Sequence, residues 1–154
     1  MVKVLFVCTG NSCRSPMAEG IFRRYIENDG LQEEIFCQSA GISPVIGAPA
    51  SAHAVAAMAE GGLDLSMHKA RKLSPQDMLL WDLYFVMTAT HGYILQCAGV
   101  PAQKIYLPRE EILDPYGQDL AVYRLCREKL EKEIKLFYND TVQRYLIQQN
   151  RNGV

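Results

Sequence analysis

Near the N-terminus a cysteine and an arginine stand with five residues between them, in Cys8-Thr9-Gly10-Asn11-Ser12-Cys13-Arg14-Ser15. Those residue types at that spacing suit the capture of an oxyanion. A tight loop wrapped around an anion turns successive backbone N–H groups inward and forms a nest. A helix starting directly after the loop adds its unpaired N–H groups and the positive end of its dipole. Gly10 is expected to supply a backbone angle that other residues resist. Arg14 offers a planar fork that can hold two oxygens of one phosphate. Cys8 would lie at the floor of a positive bowl, the kind of environment that favours thiolate over thiol. A thiolate below a bound phosphate is a nucleophile aimed at phosphorus. Alone, Cys8 also suits a buried cysteine at a strand end; Arg14 and Ser15 behind it favour the reactive reading.

Such a loop needs a strand and a helix to hold its ends. Lys3–Cys8 reads KVLFVC, a continuous apolar run of the kind found in a strand covered on both faces. RSPMAEGIFRRYIEN reads as a helix, with Ser15 as N-cap, Pro16 in the first turn and an apolar stripe of Met17, Ile21, Phe22 and Tyr25. Further strands are expected at Glu34–Ser39, Asp82–Met87 and Lys104–Leu107. Helices are expected at Ala50–Glu60, Ser74–Met78 and Thr90–Ala98. A long amphipathic helix is expected over Asp119–Gln148, with Asp119 as its N-cap and an inward stripe of Leu120, Tyr123, Leu130, Ile134, Phe137 and Val142.

Strands alternating with helices predict an α/β three-layer sandwich: a four-stranded parallel sheet, helices on both faces, and the phosphate-binding loop after strand 1. Ligands of such sheets bind beyond the carboxyl ends of the strands, at a switch point. No repeat or linker divides the sequence, so residues 1–154 are expected to form one domain.

Bulk properties narrow the partners. A net charge of −1 gives no global field to draw in nucleic acid or an anionic membrane, so an anion must be held locally. No stretch is long and apolar enough to span a bilayer, and MVKVLFVCTG lacks the layout of a signal peptide. A cytoplasmic protein is expected. The five cysteines are odd in number and include no CxxC pair, which argues against a disulfide framework. His53, His68 and His91 are scattered, so a zinc site is not expected; with Arg14 and the loop backbone to hold the phosphate, no metal or other cofactor is expected.

VCTGNSCRSP resembles the phosphate-binding loop of the low-molecular-weight protein tyrosine phosphatases, in their bacterial form. Ser39-Ala40-Gly41 is similar to that family's serine segment after the second strand, His68-Lys69-Ala70-Arg71 to its mid-chain HKAR stretch, and Asp114-Pro115-Tyr116 to its acid loop. The matches occur in order along most of the chain. The resemblance implies hydrolysis of phosphorylated proteins by a monomer through a cysteinyl-phosphate. Cys8 would attack, while Arg14 and the amides of Thr9 to Ser15 would hold the phosphate. Asp114 would protonate the leaving oxygen and then activate water. Ser15 would donate to the Cys8 sulfur, and Asn11, Ser39 and His68 would support the loop. Asp114 could instead be a turn former before Pro115, and Asp119 is its nearest rival as acid. Cys13 could be a packing residue, or could form a protective disulfide with Cys8 under oxidation, as the family's equivalent cysteine does. Cys37, Cys97 and Cys126 are expected to be bystanders, and Lys69, Arg71 and Lys72 a solvated face.

Two features bear on the substrate. Tyr116 could wall the cleft and stack on an aromatic leaving group, which favours phosphotyrosine. Many tyrosine-specific members, however, carry a bulky aliphatic residue at the place of Ser12. A branch acting on protein phosphoarginine carries a small hydroxyl residue there, within CTGNTCRSP. Thr9 and Ser12 bring this chain closer to that branch, and the loop at Pro44–Ile46 lacks the tryptophan of many eukaryotic members. Arsenate reduction on a similar loop would need a close downstream pair of shuttle cysteines, which Cys97 and Cys126 do not supply.

Overall fold

In the computed structural model, which describes residues 1–153, β1 (Val2–Cys8) runs through the middle of the sheet. Every residue of β1 except Lys3 is buried, as its unbroken apolar run requires. Among the described residues four strands form one sheet in the order β2-β1-β3-β4. β2 is Ile35–Gly41, β3 Leu83–Val86 and β4 Ile105–Tyr106, and all pairings are parallel. The register aligns Phe6 with Ser39 and with Phe85, and Cys8 with Gly41.

Alternation along β1 sorts its side chains between two cores. Val4, Phe6 and Cys8 face the larger one, beneath α1 (Arg14–Asn28), α2 (Ala52–Glu60) and α5 (Leu120–Leu136). Leu5 and Val7 face the smaller one, where Trp81 follows α3 (Asp77–Leu80) and Leu95 comes from α4 (Ala89–Cys97). The result is the expected three-layer sandwich.

The larger core is centred on aromatic rings. Phe6 lies 5.2 Å from Phe22 and 5.4 Å from Phe85, and Phe137 lies 4.6 Å from Tyr106. Truncating one such ring to alanine typically costs about 3–5 kcal/mol. Asp119 caps α5, its carboxylate accepting from the Val122 amide. The long C-terminal helix departs from expectation. A π-helical stretch at Phe137–Val142 interrupts it, and α6 (Gln143–Asn152) carries it past Gln148. The wider turn places the neighbours Phe137 and Tyr138 both in the interior, and the Tyr138 hydroxyl donates to Asp29.

Three other expectations are corrected. Ser15 does not cap α1: Cys13 holds the N-cap position with no side-chain cap bond, and Ser15 lies buried in the first turn. α2 starts at Ala52, two residues after the expected Ala50, and is capped by Ser51. The 69–72 segment is not simply a solvated face. Lys69 and Lys72 are exposed, but the Arg71 guanidinium grips buried Asp77 with two bonds of 2.9 and 3.0 Å. Burial would raise the Asp77 pKa. Arg71, the Ser74 amide and the Trp81 indole outweigh it and bring the pKa down to about 2. Among the described residues no helix is long and apolar enough to cross a membrane.

Candidate active site

The chain leaves the sheet in opposite directions from β1 and β3, so a crevice opens beyond their carboxyl ends. The loop between β1 and α1 fills it. Cys8 is buried, with Sγ 2.9 Å from Ser15 Oγ and 3.2 Å from the Asn11 amide, which donates to it. Ser15 Oγ accepts from Asn11 Nδ2 at 2.8 Å, which leaves its own proton for the sulfur. Of the two places the sequence reading gave Ser15, the helix cap and the Cys8 sulfur, it takes the second.

Asn11 anchors the loop and is fully buried. Nδ2 donates to Ser15 and to Ser39 Oγ at 2.9 Å, and Oδ1 accepts from the Arg71 amide at 2.9 Å. Its carbonyl accepts from His68 Nε2 at 2.7 Å, which places a proton on that nitrogen. The left-handed backbone expected of Gly10 belongs to Asn11, at φ 50°. Asparagine tolerates that region better than most side chains, and four neighbours hold it there.

Gly41, which the sequence offered only as part of the Ser39-Ala40-Gly41 segment, makes a close approach. A Cβ at Gly41 would lie 2.8 Å from the Thr9 carbonyl oxygen, 2.9 Å from Asn11 Cβ and 3.0 Å from the Asn11 amide nitrogen. The loop backbone would have to move. Gly41→Ala is expected to cost about 2 kcal/mol of stability and to weaken phosphate binding. Urea unfolding and calorimetric titration with inorganic phosphate check both; an alanine variant with unchanged stability contradicts the close fit.

Arg14 is 4% exposed and lies along the floor beside Cys8. Nη1 donates to the Ile112 carbonyl at 3.1 Å, and Nη2 lies 3.5 Å from Asp114 Oδ2. The Asp114 side chain is 53% exposed, so this pair contributes little to stability. Asp114 also accepts the Tyr116 amide at 3.1 Å, a turn that shapes the loop. Asp114 thus forms the expected turn and also presents its carboxylate to the cleft. Asp119 is occupied as the α5 cap.

A cleft of about 370 Å³ opens above these groups. Cys8, Thr9, Gly10, Ser12, Cys13, Arg14, Asp114 and Tyr116 line it, with Ser43, Val45, Ala48, Pro49 and Ser51 from the facing loop. Ser39 and His68 stand behind the loop, on its support side, and line a separate cavity of about 520 Å³. Cys13 Sγ lies 3.2 Å from the Tyr123 hydroxyl and 3.3 Å from Ser51 Oγ. Cys37 and Cys126 are buried and pushed up to about 12, chiefly by that burial, while Cys97 is exposed. Among the described residues no group of three or more His, Cys, Asp or Glu side chains could hold a metal ion.

Sequence reasoning missed Gly41, Ser51 and His91. His91 Nε2 lies 2.9 Å from Thr9 Oγ1. The available signal was Thr88, which caps α4 just after a buried strand and sets His91 in the first turn facing the loop.

The family model for low-molecular-weight phosphotyrosine protein phosphatases matches residues 3–148. Fold and match together define the class, a cysteine-dependent phosphatase built on a parallel α/β sheet. The chain is 34% identical to the protein-arginine-phosphatase of Bacillus subtilis over 140 residues, covering 86% of this chain and 91% of the relative. A low-molecular-weight protein tyrosine phosphatase from T. tengcongensis superimposes with a TM-score of 0.82 at 37% identity, over 90% of this chain and 99% of its own. A mutant of the YwlE arginine phosphatase with a phosphorylated active-site serine does so with a TM-score of 0.81 at 31% identity, over 91% and 98%. The chain belongs to the low-molecular-weight phosphotyrosine protein phosphatase family.

Proposed function

We propose that the protein hydrolyses phosphotyrosine on proteins through a cysteinyl-phosphate, with Cys8 as nucleophile, Arg14 as phosphate clamp and Asp114 as general acid and base. The observation that carries this reading is the placement of a buried thiol, a buried guanidinium and an accessible carboxylate around one cleft. The Cys8 thiolate attacks phosphorus from below as the ester P–O bond breaks. Protonated Asp114 gives its proton to the departing phenol oxygen. Arg14 and the loop amides hold the equatorial oxygens while charge spreads over them. Asp114, now a carboxylate, takes a proton from a water that attacks the cysteinyl-phosphate. The S–P bond breaks, and the Ser15 hydroxyl donates to the leaving sulfur. Inorganic phosphate departs and the thiolate is restored. The phosphorylated serine of the arginine-phosphatase mutant supports covalent transfer to the residue at the loop floor.

A second reading, phosphoarginine as substrate, is favoured by Ser12. It lines the cleft with a small hydroxyl side chain, where a bulky aliphatic residue would narrow the floor. The similarity to the Bacillus subtilis arginine phosphatase points the same way. Exposed Tyr116 at the rim favours an aromatic leaving group.

Parallel kinetics on phosphotyrosine and phosphoarginine peptides separate the two readings. A kcat/KM at least roughly ten-fold higher on phosphotyrosine, which corresponds to about 1.4 kcal/mol of discrimination, is the expected result. The reverse ratio transfers the assignment to phosphoarginine. Ser12→Ile is expected to depress phosphoarginine turnover far more than phosphotyrosine turnover. Equal losses on both would reject Ser12 as the selector.

A further inference from the structure

His91 reaches the phosphate loop from the neighbouring strand–helix unit. It is 5% exposed, and Nε2 meets the Thr9 hydroxyl. The other ring nitrogen, Nδ1, is buried and has no hydrogen-bond partner among the described residues. Burial first, and then the Arg14 guanidinium, push the ring down to about 4, against the opposing pull of Asp114 and Glu111. The ring is therefore neutral at neutral pH and carries one proton, on one nitrogen or the other. A proton on Nδ1 would be a buried donor facing no acceptor, the rarer kind of orphan. A proton on Nε2 has an acceptor at once, Thr9 Oγ1.

The choice fixes the sign of what Thr9 shows an anion. Thr9 follows Cys8 directly, is exposed and lines the cleft. When its oxygen accepts from His91, its proton is free to point into the cleft. When its hydroxyl instead donates to His91, only lone pairs face the cleft, and these repel phosphate. We propose that His91 is a positioning residue whose Nε2–H donates to Thr9 Oγ1 and so aims the Thr9 hydroxyl proton at the bound phosphoryl group. This rests on the phosphate-site reading above. It adds one side-chain donor to a cradle otherwise made of backbone amides and Arg14.

Nitrogen-15 NMR of labelled histidine reads the tautomer directly. The Nε2–H form is expected at His91, and the Nδ1–H form would overturn the proposal. Calorimetric titration with inorganic phosphate reads the consequence. Thr9→Val and His91→Phe are each expected to weaken phosphate binding by about ten-fold, and the double variant by no more than either alone. His91→Gln, whose amide can still donate, is expected to recover most of the loss. Single losses that multiply in the double variant, or Thr9→Val binding phosphate as tightly as the parent, would also overturn it. Should His91→Phe fail to fold, the tautomer and Thr9→Val still decide. A parent protein that does not bind phosphate overturns the site reading itself. A parent that binds it alongside an equally tight Thr9→Val variant overturns this inference alone.

Discussion

Cys8→Ser is expected to lower turnover of para-nitrophenyl phosphate by roughly 10⁴-fold or more, with phosphate affinity and thermal stability close to those of the parent. The serine oxygen would sit among the same partners, Ser15 Oγ and the Asn11 amide. Two chemical properties change. A hydroxyl is far less ionised than a thiol near neutral pH, so the attacking anion is scarce. A serine oxygen is also a poorer leaving group than sulfur, so any phosphoserine formed would release its phosphate slowly. The outcome separates a nucleophile from a buried cysteine with a packing role. Loss of that packing would show in the melting temperature and leave turnover largely intact. Steady-state kinetics, calorimetry with phosphate and a thermal melt make the comparison. Turnover within ten-fold of the parent contradicts the assignment.

Arg14→Lys is expected to lower kcat/KM by roughly 10³-fold even though the charge is kept. Arg14 is held at both ends of its fork, by the Ile112 carbonyl on one side and toward Asp114 on the other. A flat guanidinium can keep the Ile112 bond and still present N–H groups to two phosphate oxygens. An ammonium is a point donor on a flexible stem and cannot meet that geometry. Part of the loss should appear as weaker phosphate binding. The rest should appear in kcat, because charge spreads over the equatorial oxygens as the transition state forms. A lysine variant within ten-fold of the parent on both parameters would reduce Arg14 to a structural cation.

Much of this site can be read along the chain because its groups lie close together in sequence. Cys8 ends a strand, Ser12 lies in the loop and Arg14 and Ser15 open the next helix, all within eight residues, and the apolar run before them fits a covered strand. Period-2 alternation then places Cys8 on the α1 side of the sheet. What escaped sequence reading depends on contacts made across the fold. Gly41 matters because β2 ends against Thr9 and Asn11, a proximity created by strand pairing. The positive φ falls on Asn11 because Ser39, His68 and Arg71, from two distant segments, pin it there. Gly10 looked the better candidate only because local propensity was the single guide.

Ser15 shows two local rules competing. Serine before proline at a helix start suits an N-cap, but a thiol one strand end away claims the hydroxyl. Arg71 read as surface charge although its partner Asp77 lies only six residues on, because local pattern does not show that this carboxylate is buried. The π-helical stretch at Phe137–Val142 preserves the apolar stripe that suggested one continuous helix, so periodicity alone could not reveal it.

A sulfur–phosphorus bond at Cys8 is expected to form and break in each cycle. A rapid denaturing quench during turnover of para-nitrophenyl phosphate, followed by peptide mass spectrometry, tests it most directly. A phosphate on the peptide containing Cys8, localised to the cysteine and absent from Cys8→Ser quenched at the same early time, is the predicted result. A parent enzyme in steady turnover, quenched across the millisecond range with no phosphate on Cys8, would contradict it.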